Sequence, residues 1–390
     1  MGWQKKQNIA AIRVDSSEEM GSGHLMRCLT LAETLRREGW QVHFICRDLL
    51  GNLMHLIKEK GFFLHVLSCK HTHASLSDYE AWLTVPVEED AQETTDILRE
   101  MAVTVGEVSR LIIDHYAIDV RWETIVRPFV REIFVIDDLA NRVHDCDYLL
   151  DQTFSKNMMH RYDGLVPKQC QLFLGPKYVL LRPEFYEARK SLRERDGTLR
   201  RILVFYGGSD STGETEKAMR ALFLLNLKDV VIDVVVGGSN TRKAEIKKRC
   251  ETHPSFRYHC QVNYMAELMA RADLALGAGG TATWERCFLG LPAIVTAIAE
   301  NQLPACHSCA EAGLIYYAGT WREVSSTDIG TFVLKYTDQR ALKAFQTACW
   351  LENAFGAVKK RKMGGKHGQG LCCGDGKGTA FLSYSNVEKG

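Results

Sequence analysis

No stretch of the 390-residue chain approaches the roughly 18 consecutive apolar residues of a membrane-spanning helix. The N-terminal MGWQKKQNIAAIRVDSS runs straight into a strand pattern and lacks the apolar core of a secretory signal, so the expected compartment is the cytoplasm. No charge of one sign dominates: 49 Lys and Arg stand against 48 Asp and Glu, a net charge of +1. The basic residues are scattered rather than striped, so neither a nucleic acid nor a membrane surface is an expected partner. Cysteine is not scarce, but its 13 copies are odd in number and irregular in spacing. That pattern fits reduced thiols serving mainly as core filler rather than a disulfide framework. Cys306-His307-Ser308-Cys309 has a CxxC spacing, yet no second pair stands at zinc spacing. It reads as two cysteines of one helix, and no metal is expected.

What is present is the material of two ordinary soluble domains: 46% hydrophobic and 25% charged residues over a length suited to two cores. Short apolar runs alternate with helical periods. Strands are expected at 9–15, 41–46, 62–67, 110–115 and 132–138, with helices at 24–38, 50–60, 89–105 and 119–127 between them. This is the pattern of a parallel sheet covered on both faces. Residues 139–190 are less regular, and the charged segment 186–201 reads as a linker. Alternation then restarts with a strand at 201–210 that ends in a glycine turn. Further strands follow at 231–238 and 256–260, a helix at 265–273, and a strand, loop, helix and strand over 274–297. The chain is therefore expected to hold two doubly wound α/β domains, 1–190 and 191–350, facing a central cleft. Residues 351–390 form an irregular Gly- and Lys-rich tail.

In such sheets, ligands bind beyond the carboxyl ends of the strands, so the loops there carry the chemistry. Gly21-Ser22-Gly23-His24 follows a strand and opens a helix. Amides and the positive helix end suit an anion at such a junction. The third glycine of a dinucleotide fingerprint is missing, because Met26 stands in its place. His24 is a candidate general base, with Asp15 as a neighbouring carboxylate; the plainer alternative is a histidine that caps or packs at the helix start. In GAGGTATWE, Gly279, Gly280 and Thr281 can bring amides and a hydroxyl against phosphates, and Glu285 can accept from the two hydroxyls of a ribose. The bland reading is a tight turn with a solvent-facing glutamate. Asn301 and Gln302 offer amide groups to a sugar, although Asn at a helix start is a common cap. Gly208 lies in YGGSDSTG, whose amides face the same cleft unless Asp210 or Ser211 merely caps the next helix. Asp114-His115-Tyr116 also ends a strand. Asp137 and Asp138, as strand neighbours, point to opposite faces and lack a third metal ligand.

These motifs, taken in order, resemble a known family. GSGH with MRCLTLA, IDHYAIDVRWE, VIDDLANRVHDCDYLLDQ, FLGPKYVLLRPEF, GGSD, GAGGTATWE and AENQ are similar to the hydrolases that release UDP from UDP-2,4-diacetamido-2,4,6-trideoxy-β-L-altropyranose in pseudaminic acid synthesis. The resemblance covers roughly residues 9–350. It implies the GT-B architecture of nucleotide-sugar glycosyltransferases, the peptidoglycan N-acetylglucosaminyltransferase above all. It also implies a reaction in which water displaces UDP at the anomeric carbon with inversion, without metal or cofactor. By motif, His24 falls on the general base, Asn301 on a substrate-binding residue, Tyr116 near the sugar and Glu285 at the uridine ribose. The expected partner is thus a small-molecule nucleotide sugar. Oligomeric state is left open, with a monomer as the expectation. Two rival readings remain: a glycosyltransferase on the same fold, and a nucleotide-sugar-binding protein without turnover.

Overall fold

A computed structural model describes residues 7–70, 79–155 and 157–350. The described chain divides into two compact units. The first comprises 7–70, 79–153 and 157–180, the second 154–155 and 181–350. The segment 351–390, expected to be an irregular tail, lies outside the described residues.

The first unit is a seven-stranded sheet. Its strands are β1 (Ile9–Val14), β2 (Gln41–Arg47), β3 (Phe63–Leu67), β4 (Val108–Asp114), β5 (Val130–Ile136), β6 (Tyr148–Asp151) and β7 (Gln171–Leu174), ordered β3-β2-β1-β4-β5-β6-β7. Every pairing is parallel, with Ile12 opposite Phe44 on one side and Ile112 on the other. All six residues of β1 are buried, as a strand covered on both faces requires. Alternate residues serve two cores: Ile9 and Ala11 pack in one, Ala10, Ile12 and Val14 in the other. The second core is closed by α1 (Gly23–Arg37) and α2 (Met54–Glu59), the first by α3 (Val87–Thr104) and α4 (Val120–Val126). Reading 139–190 as irregular misses β6 and β7. Each is only four residues long, too short to display a period, and 3-10 turns at Met158–His160 and Pro176–Tyr178 flank β7.

The second unit opens with α5 (Pro183–Lys190) and continues through β8 (Arg201–Phe205), α6 (Glu214–Leu225), β9 (Val231–Val236), α7 (Lys243–Glu251), β10 (Phe256–Cys260), α8 (Met265–Arg271), β11 (Leu274–Ala278), α9 (Ala282–Phe288), β12 (Ala293–Ala297), α10 (Leu303–Glu311), β13 (Tyr316–Thr320), α11 (Ser326–Lys335) and α12 (Gln339–Ala348). Its six strands are parallel in the order β10-β9-β8-β11-β12-β13. The segment 186–201 is not a simple linker. It begins inside α5, and Arg195 is buried, donating to the carbonyls of Met269, Ala270, Ala272, Leu289 and Gly290. Those carbonyls end α8 and α9, where backbone acceptors have no helical partner, so the guanidinium supplies their donors. The strand expected at 201–210 stops at Phe205 because the backbone turns at Gly207, where φ is +98°.

Behind the end of β5, Asp137 accepts from the amides of Leu139 and Ala140, from Arg142 and from Tyr162. His144 is buried between Glu123 at 2.7 Å and Asp137 at 3.9 Å. Burial alone would lower the His144 pKa, but the two carboxylates override it and raise it to about 9. A histidine raised in this way contributes stability that is complete below its unfolded value of about 6.5 and is lost as pH climbs through the folded one. Denaturant unfolding is therefore expected to show stability declining between about pH 6.5 and 9. In His144→Gln that slope should vanish, with a loss at pH 6 of roughly 3 kcal/mol from the uncompensated Glu123. An unchanged slope in the variant would remove His144 as its cause.

Candidate active site

In the first unit the strands end in charge: Arg47 closes β2, Asp114 closes β4, Asp151 closes β6, and Asp15 and Asp137 directly follow β1 and β5. The turn after β1 is held by bonds from Gly21 N to Ser17 O (2.9 Å) and from Met20 N to Ser17 Oγ (3.0 Å). Gly21 has φ +74°, a left-handed conformation open to glycine without strain. Ser22 caps α1 through its carbonyl, which accepts from Met26 N at 3.0 Å; its side chain makes no capping bond. Gly23 is exposed, and His24, in the first turn, is 7% exposed.

The carboxylate that holds His24 is Asp114, with Nδ1 to Oδ1 at 2.6 Å. Asp15, expected as the neighbour, is fully buried on the opposite face of the sheet. It accepts from Arg13 (2.6 Å) and Arg47 N (2.7 Å) and lies 3.4 Å from His115. Its side chain has no exposed surface, so it neither serves His24 nor offers an oxygen to a ligand. Strand alternation explains the difference: Asp114 and Tyr116 lie toward α1, while His115 turns to the other side with Asp15.

Asp114 is itself clamped by Arg27, one helical turn after His24, with Nε to Oδ2 at 2.5 Å and Nη2 to Oδ1 at 2.6 Å. Burial favours the neutral acid, yet Arg27 and His24 hold the carboxyl well below the usual carboxylate range. An ionised carboxylate only accepts, so Nδ1 of His24 carries a hydrogen, and in the neutral ring Nε2 then presents its lone pair. Among the described residues Nε2 makes no hydrogen bond. The edge of the His24 ring meets Tyr116, with centroids 4.6 Å apart at 85°. Tyr116 donates to Asp138 at 2.6 Å, and Asp138 pairs with Arg27 at 3.0 Å. His24, Asp114, Arg27, Asp138 and Tyr116 therefore form one network.

The second unit brings four glycine or amide turns to the carboxyl edge of its sheet. Gly208 follows β8, its backbone pressed against that of Gly237 after β9. Asp210 accepts from the first amides of α6, Glu214 N (2.9 Å) and Thr215 N (3.0 Å), with Gly213 at the N-cap position; these bonds leave the amide of Gly208 uncommitted to the cap. Gly279, Gly280 and Thr281 form the turn from β11 into α9. Thr281 is exposed, and the amides of Gly280 and Thr281 donate to no other described residue. Glu285 is not solvent-facing: Arg182 holds it at 3.0 and 3.2 Å, and its side chain is 17% exposed. Burial pushes its pKa up against the opposing pull of Arg182. Asn301 is exposed in a 3-10 turn. Gln302 commits its carbonyl oxygen to Ile298 N at 3.0 Å, while its amide nitrogen lies beside Gly280. The CxxC pair lies within α10 with both thiols buried, and burial raises Cys306 to about 11. Among the described residues no group of three or more His, Cys, Asp or Glu could hold a metal ion, and no helix is long and apolar enough to cross a membrane.

Sequence reasoning missed Arg27 and Arg182, the cations that hold Asp114 and Glu285. The position of Arg27, three residues after His24 on one helix, was the available signal; nothing local pairs Arg182 with Glu285, 103 residues away.

No protein-family model matches the chain. It is similar to an uncharacterized protein of Methanocaldococcus jannaschii, 27% identical over 75% of this chain and 56% of that one. It is also similar to the UDP-2,4-diacetamido-2,4,6-trideoxy-beta-L-altropyranose hydrolase of Campylobacter jejuni, 27% identical over 67% of this chain and 81% of the enzyme. A spore coat polysaccharide biosynthesis protein of Bacillus subtilis is 31% identical over 38% of this chain and 44% of its own length. The chain thus spans little more than half of the first relative and less than half of the third. Among solved structures, Phytolacca americana UGT2 complexed with UDP-2-fluoro-glucose and pterostilbene matches with a TM-score of 0.63 at 12% identity, over 98% of this chain and 99% of that one. Acinetobacter baumannii MurG matches at 0.59 and 12% identity, over 92% of this chain and 100% of MurG. The fold is GT-B, with two Rossmann-like domains.

The Asp114 bond sets the His24 tautomer. Long-range proton–nitrogen NMR is expected to show uncharged His24 with its hydrogen on Nδ1. In Asp114→Asn, with no carboxylate to require it, a substantial Nε2–H population should appear. A wild-type ring protonated on Nε2 would contradict this geometry.

Proposed function

We propose that the protein hydrolyses a UDP-linked diacetamido-trideoxy sugar, UDP-2,4-diacetamido-2,4,6-trideoxy-β-L-altropyranose, to UDP and the free sugar, with inversion and without a metal. The observation that carries this reading is His24, whose Nδ1 is tied to an ionised carboxylate and whose Nε2 is unoccupied. The similarity to the Campylobacter hydrolase supports the choice of substrate, and the GT-B fold supports a nucleotide-sugar site.

The chemistry required is modest. A water oxygen forms a bond to the anomeric carbon while the bond from that carbon to the UDP oxygen breaks. UDP leaves with the bonding electrons, and His24 Nε2 takes the proton of the attacking water. Because attack and departure occur on opposite faces, the anomeric configuration inverts. Asp114 fixes the ring and stabilises the imidazolium that forms, as an orienting carboxylate does in other acid–base pairs. Arg27 fixes Asp114. Tyr116, edge-on to the ring, shapes the space beside His24. Gly21, Ser22 and Gly23 leave that space open to backbone approach. In the second unit, the amides of Gly280 and Thr281, with the turn at Gly208, are assigned to the diphosphate. Glu285, prepared by Arg182, is assigned to the ribose hydroxyls. Asn301 and Gln302 are assigned to the sugar, Gln302 through its amide nitrogen. A glycosyltransferase remains the second reading, favoured by the UDP-sugar-bound fold neighbour.

Proton NMR on the protein with this UDP-sugar, in metal-free buffer, is expected to show UDP and the inverted free sugar appearing together with no other acceptor. Substrate that persists in water and is consumed once an acceptor is supplied would favour the transferase. His24→Ala should lower kcat by about 10²- to 10⁴-fold with UDP affinity retained; near wild-type turnover would end the role of His24 as base. Glu285→Ala should weaken UDP binding by about tenfold, the worth of a charged hydrogen bond, and leave kcat nearly unchanged. Unaltered UDP affinity by calorimetry would count against the ribose assignment.

A further inference from the structure

Six arginines of the described chain are buried: Arg13, Arg27, Arg47, Arg110, Arg195 and Arg286. Four of them have carboxylate partners. Arg13 pairs with Asp15 and Asp90, Arg27 with Asp114, Arg47 with Asp90 and Glu93, and Arg110 with Glu132. Arg195 has none but spends its guanidinium on five carbonyls. Arg286, 2% exposed, has no carboxylate partner and a single carbonyl acceptor.

Arg286 follows Glu285 on α9, and its guanidinium folds back to the base of the turn that leaves β11. Nη2 donates to Ala278 O at 2.8 Å and to Thr283 Oγ1 at 3.0 Å. Gly277 makes room for it: a Cβ there would strike Arg286 Nη1 and would lie 2.6 Å from Phe205 O. Nε is buried without a hydrogen-bond partner. No carboxylate reaches ion-pair distance of the group among the described residues, and neighbouring Glu285 is turned to Arg182. Burial lowers the pKa of Arg286, but a guanidinium keeps its proton at neutral pH. Glu285 acts on it through space but is committed to Arg182, so the buried cation has no ion-pair partner of its own, which is unfavourable.

We propose that the missing anion arrives with the ligand: Arg286 is a fixed cation behind the diphosphate of bound UDP. It acts through the Gly279-Gly280-Thr281 turn without reaching the surface. It is a positioning residue, which raises affinity for the diphosphate and for the negative charge that grows on it as the sugar departs. Low-dielectric surroundings strengthen such a charge, and salt screens it little. The inference rests on the reading of this unit as a UDP site.

The test compares UDP with uridine, which lacks the phosphates, by calorimetry and ligand-observed NMR. Arg286→Met is expected to weaken UDP about tenfold or more while uridine stays within about twofold, since a point charge acts on phosphate and not on the nucleoside. Arg286→Lys, which keeps the charge, should recover most of the UDP affinity. Equal losses for UDP and uridine would mark Arg286 as a structural prop, and an unchanged UDP-to-uridine ratio in a folded variant would also overturn the proposal. Should Arg286→Met fail to fold, Arg286→Gln carries the same comparison. Wild-type protein that binds neither compound removes the UDP site itself, a failure distinct from that of Arg286.

Discussion

Asp114 is completely buried and still ionised, and the bidentate grip of Arg27 makes this possible. Without that cation the carboxyl would hold its proton in such surroundings, and His24 would lose the acceptor that fixes its tautomer. The arrangement follows from the parallel sheet. Strands covered on both faces are apolar along their length, so polar chemistry is displaced to their ends. At those ends a carboxylate leaves water and needs a partner. Asp114 finds Arg27 and His24, Asp137 finds Arg142 and His144, and Asp15 finds Arg13.

The two faces of the first sheet divide this polar material. On one side Arg13, Asp15, Arg47 and Asp90, with Trp122 donating to Asp90, form a closed set of charges with no exposed surface. They hold β1, β2 and α3 together. On the other side the network of His24, Asp114, Arg27, Asp138 and Tyr116 leaves one imidazole nitrogen unused. The residue types are nearly the same. What separates the two sets is burial: Asp15 Oδ2 also lacks a hydrogen-bond partner but is sealed among the other charges, whereas His24 is 7% exposed.

The second unit solves a different problem. Its strand ends are glycine turns rather than carboxylates, and the charged groups sit behind them: Arg182 on Glu285, and Arg286 beneath Gly277 and Ala278. A turn with free amides backed by positive charge favours an anion.

The sequence by itself determined the class of fold. The apolar runs 9–15, 110–115 and 274–278 are buried strands whatever surrounds them, and the glycine turns and His24 are local features readable from neighbouring residues. β6 and β7 were not legible, because four residues carry no period and their strand character comes from pairing with β5 and with each other. The neighbour of His24 was misread for a related reason. Asp15 is near in sequence, but alternation turns it to the far face, and the true partner is 90 residues away on the adjacent strand. Local order is written in spacing and residue type, since those act over one turn or one strand. Which carboxylate meets which cation, and which arginine meets none, was decided only by the tertiary structure, because charge compensation in a buried site depends on distances that the chain order does not contain.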